Sequence, residues 1–209
     1  MPTPEILQFI IAMIIMMNPL GSLSIFLDLT NKAPIVEQRK TALQATMAMF
    51  VIMLLTLWTG REVLILFGIT IPAFRFAGGI ILLAMGFSML QSKESPVSHT
   101  SADDEAAKHR HSVGIVPIAL PVIVGPGAIS TIIITASDFP QFINKIWMSI
   151  ICILLTLTMG LMLYFADNIA KLVGESVIKV VTRLMGMIIM AIAVGMLADG
   201  LIGLLPILK

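Results

Sequence analysis

Asn18-Pro19-Leu20-Gly21 and Gly125-Pro126-Gly127-Ala128 are the two places where this chain of 209 residues sets helix-breaking residues into apolar surroundings. Proline has no N–H and its ring clashes with the carbonyl one turn earlier, so helices running through 19 and 126 should break there. Unwinding is expected over 18–21 and 125–127. A break leaves unpaired N–H groups at the start of the second half-helix, where the dipole is positive, and a carboxylate can dock on them without an arginine. Carbonyls ending the first half-helix can accept from an ammonium group or coordinate a cation. A zwitterionic amino acid satisfies both ends at once. Gly21, Gly125 and Gly127 have no Cβ to hold a ligand away, and Pro19, Leu20, Pro126 and Ala128 complete the two breaks. Ser22, Ser24, Ser130 and Thr131 follow directly with hydroxyls, and Asn18 adds an amide that both donates and accepts. The rival account is a pair of packing kinks that hold nothing. One kink would favour that account; two at matched positions favour a substrate site.

The elements that must carry these breaks lie in a membrane. The chain is 58% hydrophobic and only 12% charged, too few polar groups to cover a water-facing surface. Charge-free runs recur at 6–27, 41–60, 76–92, 112–137, 146–166 and 184–198, which gives six spans. The first and fourth runs, each longer than the ~20 residues that cross a bilayer, contain the breaks. Free backbone groups at that depth survive only in protein or against a cavity. The last run is short, which sets Asp199 at its interfacial end. The run 63–74 is too short to cross and reads as the start of the third span or an interfacial segment. Met-Pro-Thr-Pro-Glu has no basic run and no cleavage site follows, so no removable signal peptide is expected. Cys152 is the only cysteine and lies in the fifth span, so it forms no intramolecular disulfide.

Charge placement orients the spans. One set of loops holds Lys32, Arg39, Lys40, Lys93, Lys108, Arg110, Lys171 and Lys179, with Arg183 at the edge. The other holds Arg61, Arg75, Lys145 and Lys209. The richer side should face the cytoplasm, with both termini outside it.

The two halves also repeat. Asn18 and Gly125 are 107 residues apart, Leu66-Phe67-Gly68 matches Leu172-Val173-Gly174, and Arg75-Phe76-Ala77-Gly78 matches Arg183-Leu184-Met185-Gly186. Each unit holds three spans, and an odd number reverses orientation. The expected fold is therefore an all-α integral membrane protein, six transmembrane helices in a 3+3 inverted repeat with broken first and fourth helices. The units are 1–92 and 113–209, joined by a polar cytoplasmic connector at 93–112.

Asn18-Pro19-Leu20-Gly21, Arg75-Phe76-Ala77-Gly78-Gly79-Ile80, Val116-Pro117-Ile118-Ala119-Leu120-Pro121 with Gly125-Pro126-Gly127-Ala128, and Arg183-Leu184-Met185-Gly186 resemble the signature segments of the MarC family, also called the neutral amino acid transporter family. The resemblance covers essentially the whole chain. It implies a bacterial or archaeal inner-membrane protein with a fold akin to the LysE-type exporters. It also implies transport of small neutral amino acids such as glycine and alanine, driven by a cation gradient of protons or sodium. Export of other small metabolites or drugs is an alternative.

Other residues fit this frame in more than one way. Arg75 and Arg183 each open the last span of a repeat, as interfacial anchors or as a gate or helix-end contact. Asp28 and Asp138 read as loop-edge residues more than as proton carriers. His99, His109 and His111, with Asp103, Asp104 and Glu105, show no metal-ligand spacing, so neither a metal nor another cofactor is expected. The sixteen methionines read as adaptable packing. Enzymatic function is not expected, because no nucleophile–base pair and no His-Glu-x-x-His occurs, and no Walker A sequence supports an ATP-driven pump. A non-transporting scaffold remains the stronger rival, although it has no use for two broken helices. The expected partners are a neutral amino acid, a coupling cation and the bilayer, with room for a homo-oligomer and none for nucleic acid.

Overall fold

The computed structural model describes residues 3–30, 33–90 and 123–205. The expected connector at 93–112, its histidines and the segment 116–121 lie outside the described residues. Eight helices follow in order among the described residues: α1 (Thr3–Met17), α2 (Pro19–Thr30), α3 (Ile35–Leu66), α4 (Ile71–Leu90), α5 (Pro126–Asp138), α6 (Phe142–Tyr164), α7 (Ala166–Val173) and α8 (Glu175–Leu204). No strand occurs among them.

Among the described residues, five segments are long and apolar enough to cross a bilayer: Pro4–Leu27, Ile35–Leu66, Ile71–Leu90, Phe142–Tyr164 and Val180–Leu204. The fourth expected span is represented by α5 alone, whose 13 residues reach only about 20 Å at 1.5 Å per residue. The run 63–74 is divided by a turn. Gly68, at φ 67°, donates to the Ile65 carbonyl (3.0 Å) and ends α3 before α4 begins. Gly174 follows α7 directly before α8, at φ 76° and ψ 149°, and its N–H donates to the Ala170 carbonyl (3.0 Å). Both glycines sit at positive φ, which a residue with a Cβ adopts only under strain. The eighth helix continues past both ends of the charge-free run 184–198, so Arg183 and Asp199 are helical residues.

Water cannot drive helices together inside lipid, so close packing must. The most extensive contact is between α4 and α8, which run antiparallel. Its closest approaches are at glycines. A Cβ on Gly86 would come within 2.8 Å of the Gly186 carbonyl, and one on Gly200 within 2.7 Å of the Phe76 nitrogen. The α3–α6 pair is also antiparallel: Thr46 lies against Gly160, and Thr156 Oγ1 is 3.3 Å from Met53 Sδ. Toward one end the Trp58 indole N–H donates to Ser149 (3.2 Å), with Phe142 edge-on to its ring and Lys145 over it. Toward the other, Arg39 lies over Tyr164. These aromatic–basic groups sit about a bilayer apart along α6, as amphipathic rings do at the two membrane–water interfaces. The core between them includes Met13, Met17, Met49, Met53, Leu82, Ile132 and Met148, all fully buried.

Candidate functional site at the paired helix breaks

The first break is confined to one residue. The first helix stops at Met17, α2 restarts at Pro19, and Asn18 between them has φ 42°. It is the only non-glycine residue at positive φ among the described residues, and asparagine is one of the few that tolerate this region. Its N–H reaches the Ile14 and Ile15 carbonyls at 3.1 and 3.2 Å, and its own carbonyl accepts from Ser22 N–H at 2.9 Å. Asn18 Oδ1 accepts from Gly21 N–H at 3.4 Å, which is a helix N-cap with Pro19 in the first turn. Ser22 Oγ donates to the Met17 carbonyl at 2.7 Å. The unwinding expected over 18–21 is therefore narrower, because Asn18 and Ser22 satisfy most of the groups that Pro19 frees.

The second break differs. Gly125 is the N-cap of α5 with extended backbone (φ −72°, ψ 179°), Pro126 opens the helix, and no side-chain cap is made among the described residues. The Gly125 carbonyl accepts from Ile129 N–H at 3.2 Å. Gly127 and Ala128, whose N–H groups face out of the first turn, are buried. An uncapped, buried helix N-terminus favours negative charge.

The bundle brings the two breaks together. Met16, two residues before Asn18, has its sulfur 3.2 Å from where a Cβ on Gly127 would lie. The same Cβ would overlap the Leu82 side chain from α4. A Cβ on Gly21 would overlap the Asn18 amide. Both glycines thus admit neighbouring protein atoms at van der Waals range; Leu82 and Met16 are neighbours that sequence reading had no signal for.

The hydroxyls divide in the same way. Ser22, Ser24 and Thr131 each donate to a helix carbonyl, at 2.7, 3.3 and 2.9 Å. Ser130 has no such bond among the described residues, although it is only 3% exposed. It faces Gly78, where a Cβ would come within 2.9 Å of its oxygen. Gly78 belongs to the Arg-x-x-Gly motif, and that motif was the one available sign that α4 comes this close to α5.

Arg75 is not extended toward headgroups. Its Nη2 lies 2.7 and 2.9 Å from the two Asp138 carboxylate oxygens, and Nη1 lies 3.6 Å from Asp199. Arg183 lies in a different place, exposed along α8 beyond the Gly186 contact. A groove of about 30 Å³ lined by Gln38, Arg39, Tyr164, Asp167 and Asn168 lies at the end of the bundle away from Arg75.

Length, composition and helix packing make this an integral, multi-pass, all-helical membrane protein. The family model described as the MarC family integral membrane protein matches residues 3–205, and the chain belongs to that family. It is similar to a UPF0056 membrane protein of Buchnera aphidicola from Schizaphis graminum, 32% identical over 93% of this chain and 90% of the relative. The YvbG protein of Bacillus subtilis, a UPF0056 membrane protein, is 32% identical over 97% of each chain. The UPF0056 inner membrane protein MarC of Salmonella paratyphi A is 30% identical over 88% of each. No solved structure matches it.

Proposed function

We propose that the protein is a secondary transporter of small neutral amino acids, glycine- or alanine-sized, coupled to a proton or sodium gradient. The observation that carries this reading is the meeting of the two breaks at mid-bundle, with Met16 against Gly127 and the uncapped start of α5 beside them. A carboxylate on the Gly127 and Ala128 amides, with the Ser130 hydroxyl as a further donor or acceptor, uses the groups that the fold itself leaves unspent. Asn18 supplies the facing amide from the other break, with Ser22, Ser24 and Thr131 behind these groups. In this reading Leu82 and Met16 fill the space beside Gly127 when no substrate is bound and yield when it arrives. A neutral substrate suits a neighbourhood whose described side chains carry no charge.

The 3+3 inverted repeat belongs to the same proposal. Repeat mates related by a two-fold axis in the membrane plane must run antiparallel, as α4 with α8 and α3 with α6 do. The matched positive-φ glycines, Gly68 and Gly174, open the last helix of each half. The proposed orientation puts the Arg75 end outside the cytoplasm, with the amino terminus. Counterflow of labelled glycine and alanine in proteoliposomes, with each ion gradient applied in turn, tests the reading. Accumulation that follows one gradient supports it. No counterflow of either amino acid, by protein that keeps its melting transition, refutes it.

A further inference from the structure

At one end of the bundle a single guanidinium joins three helices. Arg75 lies in the second turn of α4, Asp138 is the last residue of α5, and Asp199 lies five residues before the end of α8. The Arg75 side chain is 20% exposed, Asp138 47% and Asp199 64%. Arg75 Nε is enclosed and has no hydrogen-bond partner among the described residues, where the two carboxylates are the cation's ion-pair partners.

The element held by this contact is the short half-helix behind the second break. At its far end α5 starts from extended backbone at Gly125 with no side-chain cap. Near the Arg75 end its lateral contact with α3 is apolar, Ile133 against Gly60. Ser137 donates to its own helix at Ile133, not across to a neighbour. Asp138 is thus the ionic tie at this end of α5, and its release would leave the end held by apolar contacts.

We infer that Arg75, Asp138 and Asp199 form an ionic latch that closes this end of α5 over the break, and that its opening exposes the buried face of α5 to the water on that side. Asp138 is the principal partner, and Asp199, farther away and more exposed, guides the guanidinium back. What passes the open latch rests on the transporter reading, but the latch itself does not.

The test places a cysteine under the latch. Ala136 is 3% exposed, one half-turn before Asp138, and Ala136→Cys is introduced into a Cys152→Ala protein in sealed vesicles of both orientations. A membrane-impermeant maleimide should label it slowly. Arg75→Gln and Asp138→Asn should each raise the rate about two- to fivefold, the factors corresponding to ~0.4–1 kcal/mol of ion-pair energy. Asp199→Asn should raise it less. The exchange Arg75→Asp with Asp138→Arg should restore slow labelling. In the unsubstituted latch, raising salt from 0.1 to 1 M shortens the screening length from about 10 to 3 Å and should speed labelling even if a variant fails to fold. Unchanged rates in Arg75→Gln and Asp138→Asn at parental melting temperature would overturn the latch. So would faster rates that track a fallen melting temperature and are not restored by the exchange. Acceleration seen only in vesicles of the opposite orientation leaves the latch standing and refutes the outward assignment of this end. Absence of counterflow with an intact latch response refutes the transporter reading alone.

Discussion

Gly127→Ala measures how tightly the two breaks are pressed together. The new Cβ would overlap Leu82 Cδ2, stand 3.6 Å from Leu82 Cγ and 3.2 Å from Met16 sulfur. Leu82 is 0% exposed and cannot swing into lipid, whereas the methionine can adjust. Overpacking of this kind costs ~1–3 kcal/mol. Replacing glycine by alanine within a helix returns up to ~1 kcal/mol, and less in the first turn. The expected net loss is therefore about 0.5–2.5 kcal/mol. Leu82→Ala alone should cost about 2–5 kcal/mol through the space it vacates. With that space available the Gly127 methyl no longer collides, so the double variant should be more stable than the sum of the two losses by about 1–3 kcal/mol. Reversible unfolding in mixed detergent micelles gives all four free energies. Gly127→Ala at parental stability, or strict additivity with Leu82→Ala, would refute the close contact. Transport by the double variant then separates two reasons for the glycine. Transport equal to that of Leu82→Ala means that Gly127 is there for packing, and lower transport at the stability of Leu82→Ala means that its methyl blocks the substrate.

Ser130→Ala should weaken glycine- or alanine-dependent thermal stabilisation about two- to twelvefold in affinity, from a hydrogen bond worth ~0.5–1.5 kcal/mol, with little change in the unliganded melting point. Asn18→Ala should lose about 2 kcal/mol of stability through the missing cap and the left-handed backbone, while Asn18→Gly should lose only a few tenths. Both should weaken substrate binding, and equal stability of the two would contradict the cap. Gly195→Ala should be neutral or stabilising by up to ~1 kcal/mol, because nothing lies within 4 Å of its Cβ position; a destabilised variant would mean that a neighbour covers this face. Cysteines at residues 3 and 100 should label oppositely with an impermeant reagent in intact cells, the first from outside, and labelling of residue 100 would overturn the proposed orientation.

Much of this protein was legible in residue order because lipid enforces simple rules. Charge-free runs located the five spans among the described residues, and proline at 19 and 126 located both breaks, since the lost N–H and the ring clash are local effects. The two Leu-x-Gly landmarks likewise became helix stops at Gly68 and Gly174. Helix ends were less legible: α8 includes Arg183 and Asp199, because a helix continues through charge once its interfacial end is reached. Tertiary structure alone decided what fills each break. Nothing in the order of residues says that Asn18 and Ser22 consume the groups freed at the first break, leaving α5 with the uncapped end. Nor does it say that Leu82 and Met16 occupy the space beside Gly127, or that Arg75 selects Asp138, 63 residues away, over the headgroups. Those outcomes depend on which helix faces are pressed together. Small residues such as Gly78, Gly86, Gly186 and Gly200 permit that approach, and its geometry exists only once the helices have packed.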